Sequence, residues 1–200
     1  MGIGFGPPPT LPPMFRVCVY CGSSPGRGER FLEVARELGA ALATRGHGLV
    51  YGGARVGLMG AVADAALAGG AAVHGVIPHG LVQMEVAHQG LTSLDVVETL
   101  HERKARMDTL SHAFVALPGG YGTLEELFEA LTWLQLAIHT KPVALLDVDG
   151  FYDPLVAHLD RCVAEGFLKP ENRALLLRTR SVTECLDAVE ALGDAPGAQQ

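Results

Sequence analysis

Positive charge is scarce in this chain. Lys and Arg number 15 against 22 Asp and Glu, a formal net charge of −7, which argues against a nucleic-acid footprint or an anionic-membrane surface. Any phosphate it handles must be held by a local site. The densest basic cluster, Arg103, Lys104 and Arg106, also fits a solvated helix face, with Glu102 spaced to pair with Arg106.

Long apolar runs are missing as well. The small-residue stretch from Gly57 to Ile77 is broken by Asp64 and suits a soluble core better than lipid, so no membrane span is expected. Residues Met1 to Pro13 hold five prolines and no basic n-region, and read as part of a disordered extension over 1–14 rather than a cleavable signal. Gly6 stands where a myristoylation signal wants Ser or Thr. Residues 193–200 read as a flexible tail. A cytoplasmic location is the resulting expectation.

Four cysteines are too few for a disulfide framework in a chain of this size. Cys18 and Cys21 have C-x-x-C spacing, but Cys18 falls inside an apolar strand, whereas a redox thiol wants a helix N-terminus. The eight histidines are scattered and supply no second ligand pair, so no metal is expected. The first turn also lacks a G-x-G-x-x-G, and no well-placed acid follows twenty residues on, which disfavours a dinucleotide cofactor.

What is present is regular alternation. With 200 residues and 48% hydrophobic content, one domain over 15–192 can bury one sizeable core. Strands are expected at Phe15 to Tyr20, Gly48 to Tyr51, Ala72 to Ile77, Leu94 to Glu98, Ala113 to Leu117, Val143 to Val148 and Ala174 to Leu177. Helices are expected at Glu29 to Thr44, Leu58 to Ala68, Leu100 to Leu110, Leu124 to Ile138, Tyr152 to Glu165 and Val182 to Leu192, with Val82 to His88 a short helix or loop. Continuously apolar strands alternating with helices imply an α/β, Rossmann-like doubly wound parallel sheet with helices on both faces. Ligands of such sheets bind beyond the carboxyl ends of the strands.

Three turns stand at those ends: Cys21-Gly22-Ser23-Ser24, Gly52-Gly53, and the segment Pro118-Gly119-Gly120-Tyr121-Gly122-Thr123. The last joins a strand to a helix, the layout of a phosphate cradle, since glycines admit close backbone approach and helix N–H groups favour an anion. Thr123 with Glu126 reads equally as a capping box on an ordinary helix. In Leu100 to Leu110, Arg103 shares the inward stripe marked by Leu100, Met107 and Leu110. An Arg there needs an anion or carboxylate, or else snorkels outward at the rim.

The His101 to Met107 run, the Pro118 to Glu126 segment, and Thr132-Trp133 with Lys141-Pro142-Val143 and Asp147 to Gly150 together resemble the LONELY GUY (LOG) family of cytokinin riboside 5′-monophosphate phosphoribohydrolases. The resemblance spans Phe15 to Leu192. It implies hydrolysis of the N-glycosidic bond of N6-substituted adenosine 5′-monophosphates, with AMP itself a further candidate, to free base and ribose 5-phosphate. It also implies a homodimer without metal or redox cofactor. By the same resemblance Arg103 and Glu126 are catalytic; Gly119, Gly120, Gly122 and Thr123 hold the phosphate; and Lys104, Glu125, Ser23 and Glu85 contact the ligand.

Such roles make chemical sense. Breaking a ribosyl–base bond develops positive charge on the sugar, so a fixed carboxylate gains interaction energy in the transition state. Glu126, expected in a helix's first turn, suits that task. Two other functions remain open on sequence grounds. A non-catalytic nucleotide or phosphorylated-ligand binding module would use the cradle without an Arg103 and Glu126 pair. A lysine decarboxylase would need a Schiff-base lysine, and only Lys104, Lys141 and Lys169 exist.

Overall fold

A computed structural model describes residues 14–82 and 87–193. Except for Met14 and Gly193, the extension and tail expected at the two ends lie outside the described residues, and so does Glu85. The strands are β1 (Arg16–Tyr20), β2 (Gly48–Tyr51), β3 (Val73–Pro78), β4 (Ser93–Val97), β5 (Ala113–Ala116), β6 (Val143–Leu146) and β7 (Leu176–Thr179). The helices are α1 (Arg30–Thr44), α2 (Gly57–Ala68), α3 (His79–Val82), α4 (Leu100–Leu110), α5 (Tyr121–Gln135), α6 (Asp153–Ala164), α7 (Pro170–Arg173) and α8 (Val182–Gly193).

All seven strands pair in parallel in the order β4-β3-β2-β1-β5-β6-β7. The chain lays strands outward from β1 in one direction and then returns to build β5, β6 and β7 on the other side. The order therefore reverses between β1 and β5, which opens a crevice at their carboxyl ends. This is the doubly wound sheet the alternation predicts.

Side-chain alternation along β1 shows why both faces are covered. Val17 and Val19 join one buried cluster with Leu38 and Leu42 of α1, Val62 of α2 and Leu186 of α8. Cys18 and Tyr20 join the opposite cluster with Met107 of α4, Leu127 of α5 and Val156 of α6. Strands buried on both faces read as continuous apolar runs, as these do. Burying such residues at about 25 cal/mol per Å² supplies the main force that closes the two layers on the sheet.

Most element ends fall within two residues of the expected positions, with three informative exceptions: α3, α5 and α7. Helix α3 occupies His79–Val82 rather than the Val82 to His88 expected of a short helix or loop. Helix α5 begins at Tyr121, three residues early, and ends at Gln135, because Leu136 closes the last turn and Ala137 takes a φ of 55°. The four-residue α7, with Pro170 at its start, is too short for a periodicity to announce it. Its presence delays β7 to Leu176.

Candidate active site

The cradle forms where the sheet order reverses. Gly22 N donates to Pro118 O at 3.1 Å, Leu117 N to Tyr20 O at 2.9 Å, and Leu58 N to Gly22 O at 3.0 Å. These bonds zip the turn after β1 to the turn after β5 and to the start of α2. Tyr152 Oη donates to Leu117 O at 2.7 Å and fixes the same turn from below.

Helix α5 starts inside the cradle. Its N-cap is Gly120, with no side-chain cap, and Leu124 N makes the bond to Gly120 O at 3.1 Å. Thr123 is thus the third helical residue and not the cap, and the capping-box reading of Thr123 and Glu126 does not hold. The N–H groups of a helix's first turn have no intrahelical acceptor, and Tyr121, Gly122 and Thr123 all line a cleft of ≈190 Å³. Gly119 is needed for a different reason: a Cβ there would overlap Thr123 Oγ1. Gly120 and Gly122 have open space where a Cβ would sit, and neither has a positive φ.

Arg103 enters the cleft from α4. Thr99 caps that helix by accepting from Glu102 N at 3.1 Å, while Glu102 Oε2 accepts from Glu98 N at 3.0 Å. The expected Glu102 to Arg106 pair is therefore replaced, and Arg106 Nε reaches Asp95 at 2.5 Å instead. Leu100 is exposed rather than inward, so the buried positions of α4 are Lys104 and Met107. Arg103 is held by non-local contacts: its Nε donates to Val76 O within β3, at 3.1 Å. A Cβ on Gly52 would overlap Arg103 Nη2. Gly52, absent from the sequence-predicted site, is thus the seat of the guanidinium, and its place in the second strand-end turn was the available signal.

Opposite Arg103 stands Glu126, with Nη1 to Oε1 at 3.4 Å and side chains only 12% and 11% exposed. The two are the charged residues among those that line the cleft. Glu126 lies in the second turn of α5, which has no acid in its first turn. The helix dipole fades beyond that first turn, whereas the Arg103 guanidinium lies directly against the Glu126 carboxylate.

The structure brings together most of the sequence-predicted site. Arg103, Glu126, Gly120, Gly122, Thr123 and Ser23 line one cleft. Gly119 backs onto it and borders an adjoining apolar hollow of ≈290 Å³ walled by Phe31, Leu58 and Phe151. Lys104 and Glu125 do not line the cleft; Lys104 pairs with Glu125 and, at 2.7 Å, with Glu129. A larger groove of ≈790 Å³ runs between α1 and α2. Its lining holds no buried ion pair among the described residues, so size does not select it.

Cys18 and Cys21 are buried free thiols, and Cys21 is among the residues that line the cleft. Burial, reinforced by Glu126, pushes both pKa values well up, the opposite of what thiolate chemistry needs.

The family described as "Possible lysine decarboxylase" matches residues 59–189. A cytokinin riboside 5′-monophosphate phosphoribohydrolase of Oryza sativa subsp. japonica is 49% identical over 175 residues, 88% of this chain and 72% of that protein. One from Arabidopsis thaliana is 46% identical over 175 residues, 88% of this chain and 82% of that protein. Among solved structures, a molybdenum cofactor carrier protein of Chlamydomonas reinhardtii aligns with a TM-score of 0.67 at 24% identity, covering 90% of this chain and 98% of that one. At that identity the likeness concerns the fold alone.

Proposed function

The chain belongs to the LONELY GUY (LOG) family of cytokinin riboside 5′-monophosphate phosphoribohydrolases, and from that premise we propose how its cleft works. The protein is a hydrolase of cytokinin nucleotides: water adds to the sugar C1′, the bond to the base nitrogen breaks, and free base and ribose 5-phosphate leave. The observation that carries the site assignment is the buried Arg103 and Glu126 pair, 3.4 Å apart, beside the start of α5.

In this reading the 5′-phosphate lies against the first-turn N–H groups of α5, with Gly120 and Gly122 leaving room for it. Glu126 faces the sugar as positive charge develops there, and its fixed carboxylate stabilises that charge. Arg103, held by Val76 O and seated against Gly52, sets the carboxylate and orients the nucleotide. Ser23 borders the same space from the β1 turn. Glu85, outside the described residues, keeps its proposed ligand contact from the family resemblance alone.

Schiff-base decarboxylation fits the lysines poorly. Burial works against a charged Lys104, but the hydrogen bonds its ammonium donates to Glu125 and Glu129 outweigh it and raise its pKa, so the amine stays protonated rather than nucleophilic. Lys141 Nζ is engaged by Asp108, and Lys169 is exposed at the start of α7.

The proposed assembly is a homodimer, supported by the exposed Leu136 and Ile138 beside a half-buried Trp133. The proposed location is the cytoplasm, in keeping with four free cysteines; no helix among the described residues is long and apolar enough to cross a membrane.

Chromatography of free bases after incubation with AMP and with N6-isopentenyladenosine 5′-monophosphate tests the activity, alongside the matching nucleosides. Release of base from the monophosphates and little from the nucleosides is expected. Equal efficiency with and without the phosphate would overturn the cradle assignment.

A further inference from the structure

Arg103 and Lys104 are consecutive on α4, Glu125 and Glu126 are consecutive on α5, and the two helices are joined by two adjacent ionic rungs. One rung lines the cleft and the other lies behind it. From this arrangement we propose that Lys104 is a positioning residue, which fixes the register of α4 against α5 and thereby the spacing of Arg103 and Glu126. The proposal rests on the hydrolase reading above and departs from a ligand-contact role for Lys104.

Three observations carry it. Lys104 is absent from the cleft lining, and its side chain is only 7% exposed. Its ammonium meets two carboxylates one helical turn apart, Glu125 and, at 2.7 Å, Glu129, so two of its three donors are committed to α5. Consecutive residues on a helix point about 100° apart, so Arg103 can face the cleft only while Lys104 faces away from it. A lysine with two carboxylates resists sliding of one helix along the other, because any shift must break a charge-assisted hydrogen bond of an ammonium that is itself buried.

The geometry at risk is the 3.4 Å separation of Arg103 and Glu126, and misplacement of a catalytic group by about 1 Å can cost on the order of a hundredfold in rate. Two variants attack the rear rung from opposite sides. Lys104→Met removes the cation at similar length, and Glu125→Gln with Glu129→Gln removes the carboxylate charges while keeping Lys104. If Lys104 positions the pair, both lower kcat by about tenfold to a hundredfold, leave KM for the nucleotide and inhibition by ribose 5-phosphate within about twofold, and combine without further loss.

A rise of about tenfold in the ribose 5-phosphate inhibition constant for Lys104→Met alone would mark a phosphate contact and overturn the proposal. So would wild-type kcat in both variants, whatever their thermal stability. A crystal structure of Lys104→Met supplies a readout that needs no turnover: the Arg103 to Glu126 separation should widen, and an unchanged 3.4 Å would also overturn the proposal. A wild-type protein that cleaves no nucleotide would instead sink the hydrolase reading, and the crystallographic arm would still decide the role of Lys104.

Discussion

Arg103 Nη1 lies 3.4 Å from Glu126 Oε1, and nearly nine-tenths of each side chain is buried. At this separation and burial, neither charge is screened by water as a surface pair would be. We expect Glu126→Gln and Arg103→Ala each to lower kcat by at least about a hundredfold, with the double variant little worse than the poorer single one, since the two act as a unit. Steady-state kinetics on well-folded proteins checks this. Near-wild-type turnover in both single variants would return the pair to a structural role.

Gly52 should behave as a site residue although it contacts no substrate in this reading. Its missing Cβ leaves the space Arg103 Nη2 occupies, so Gly52→Ala must displace the guanidinium and should approach the rate loss of Arg103→Ala. Gly120→Ala and Gly122→Ala meet open space and no positive φ, so their thermal stability should stay close to wild type. Their effect should be a raised KM for nucleotide and weaker competition by ribose 5-phosphate, because an added methyl blocks close approach to the helix N-terminus. Unchanged KM in both would move the phosphate elsewhere.

The fold was largely legible in the sequence because its strands are short apolar runs punctuated by Gly and Pro, a signal that needs no tertiary context. The start of α5 was not. Gly120 and Gly122 read as turn residues, whereas Gly120 caps the helix and Gly122 lies inside it. Glycine there weakens the helix locally and leaves the cleft unobstructed. Arg103 was found by its place on a stripe with Leu100, yet Leu100 is exposed. What buries Arg103 comes from Val76 on β3 and Gly52 in the turn after β2, contacts between distant residues that no local pattern encodes. Lys104 and Glu125 come to the site through the family resemblance alone, and neither lines the cleft, since neighbours on a helix point about 100° apart.

Stability should fall on mild acidification. Burial lowers the pKa values of His74, His112 and His139 below the ordinary value of about 6.5. The unfolded chain therefore binds protons first, so the native state is fully favoured above about 6.5 and loses ground as pH falls toward the folded pKa values. Nδ1 of His112 accepts from Arg16 N at 3.0 Å, and Nδ1 of His139 from Lys141 N at 3.1 Å. Asn can supply an acceptor in the same place without titrating. Urea midpoints measured between about pH 7 and 5.5 should drop for wild type and drop less than half as much for the His112→Asn, His139→Asn double variant. Parallel curves would show that these two rings do not govern the response.

The dimer prediction concerns the end of α5. The helix stops at Gln135, and the following turn presents Leu136 and Ile138 at 61% and 63% exposure, with Ala137 held at a φ of 55° between them. A turn that buries His139 while projecting two large aliphatic side chains forms an apolar ledge, and full burial of each would contribute roughly 1.5–3 kcal/mol to an association. Light scattering at micromolar concentration should give a mass near twice the 21.1 kDa chain. Leu136→Asp with Ile138→Asp places two like charges in the contact and should yield monomers, since burying them unpaired costs several kcal/mol. If the partner chain completes the base-binding end of each pocket, KM for nucleotide should rise with dissociation while the monomer stays folded. A monomer with unchanged kcat and KM would remove the partner from the site, and a dimer that survives both substitutions would place the interface elsewhere.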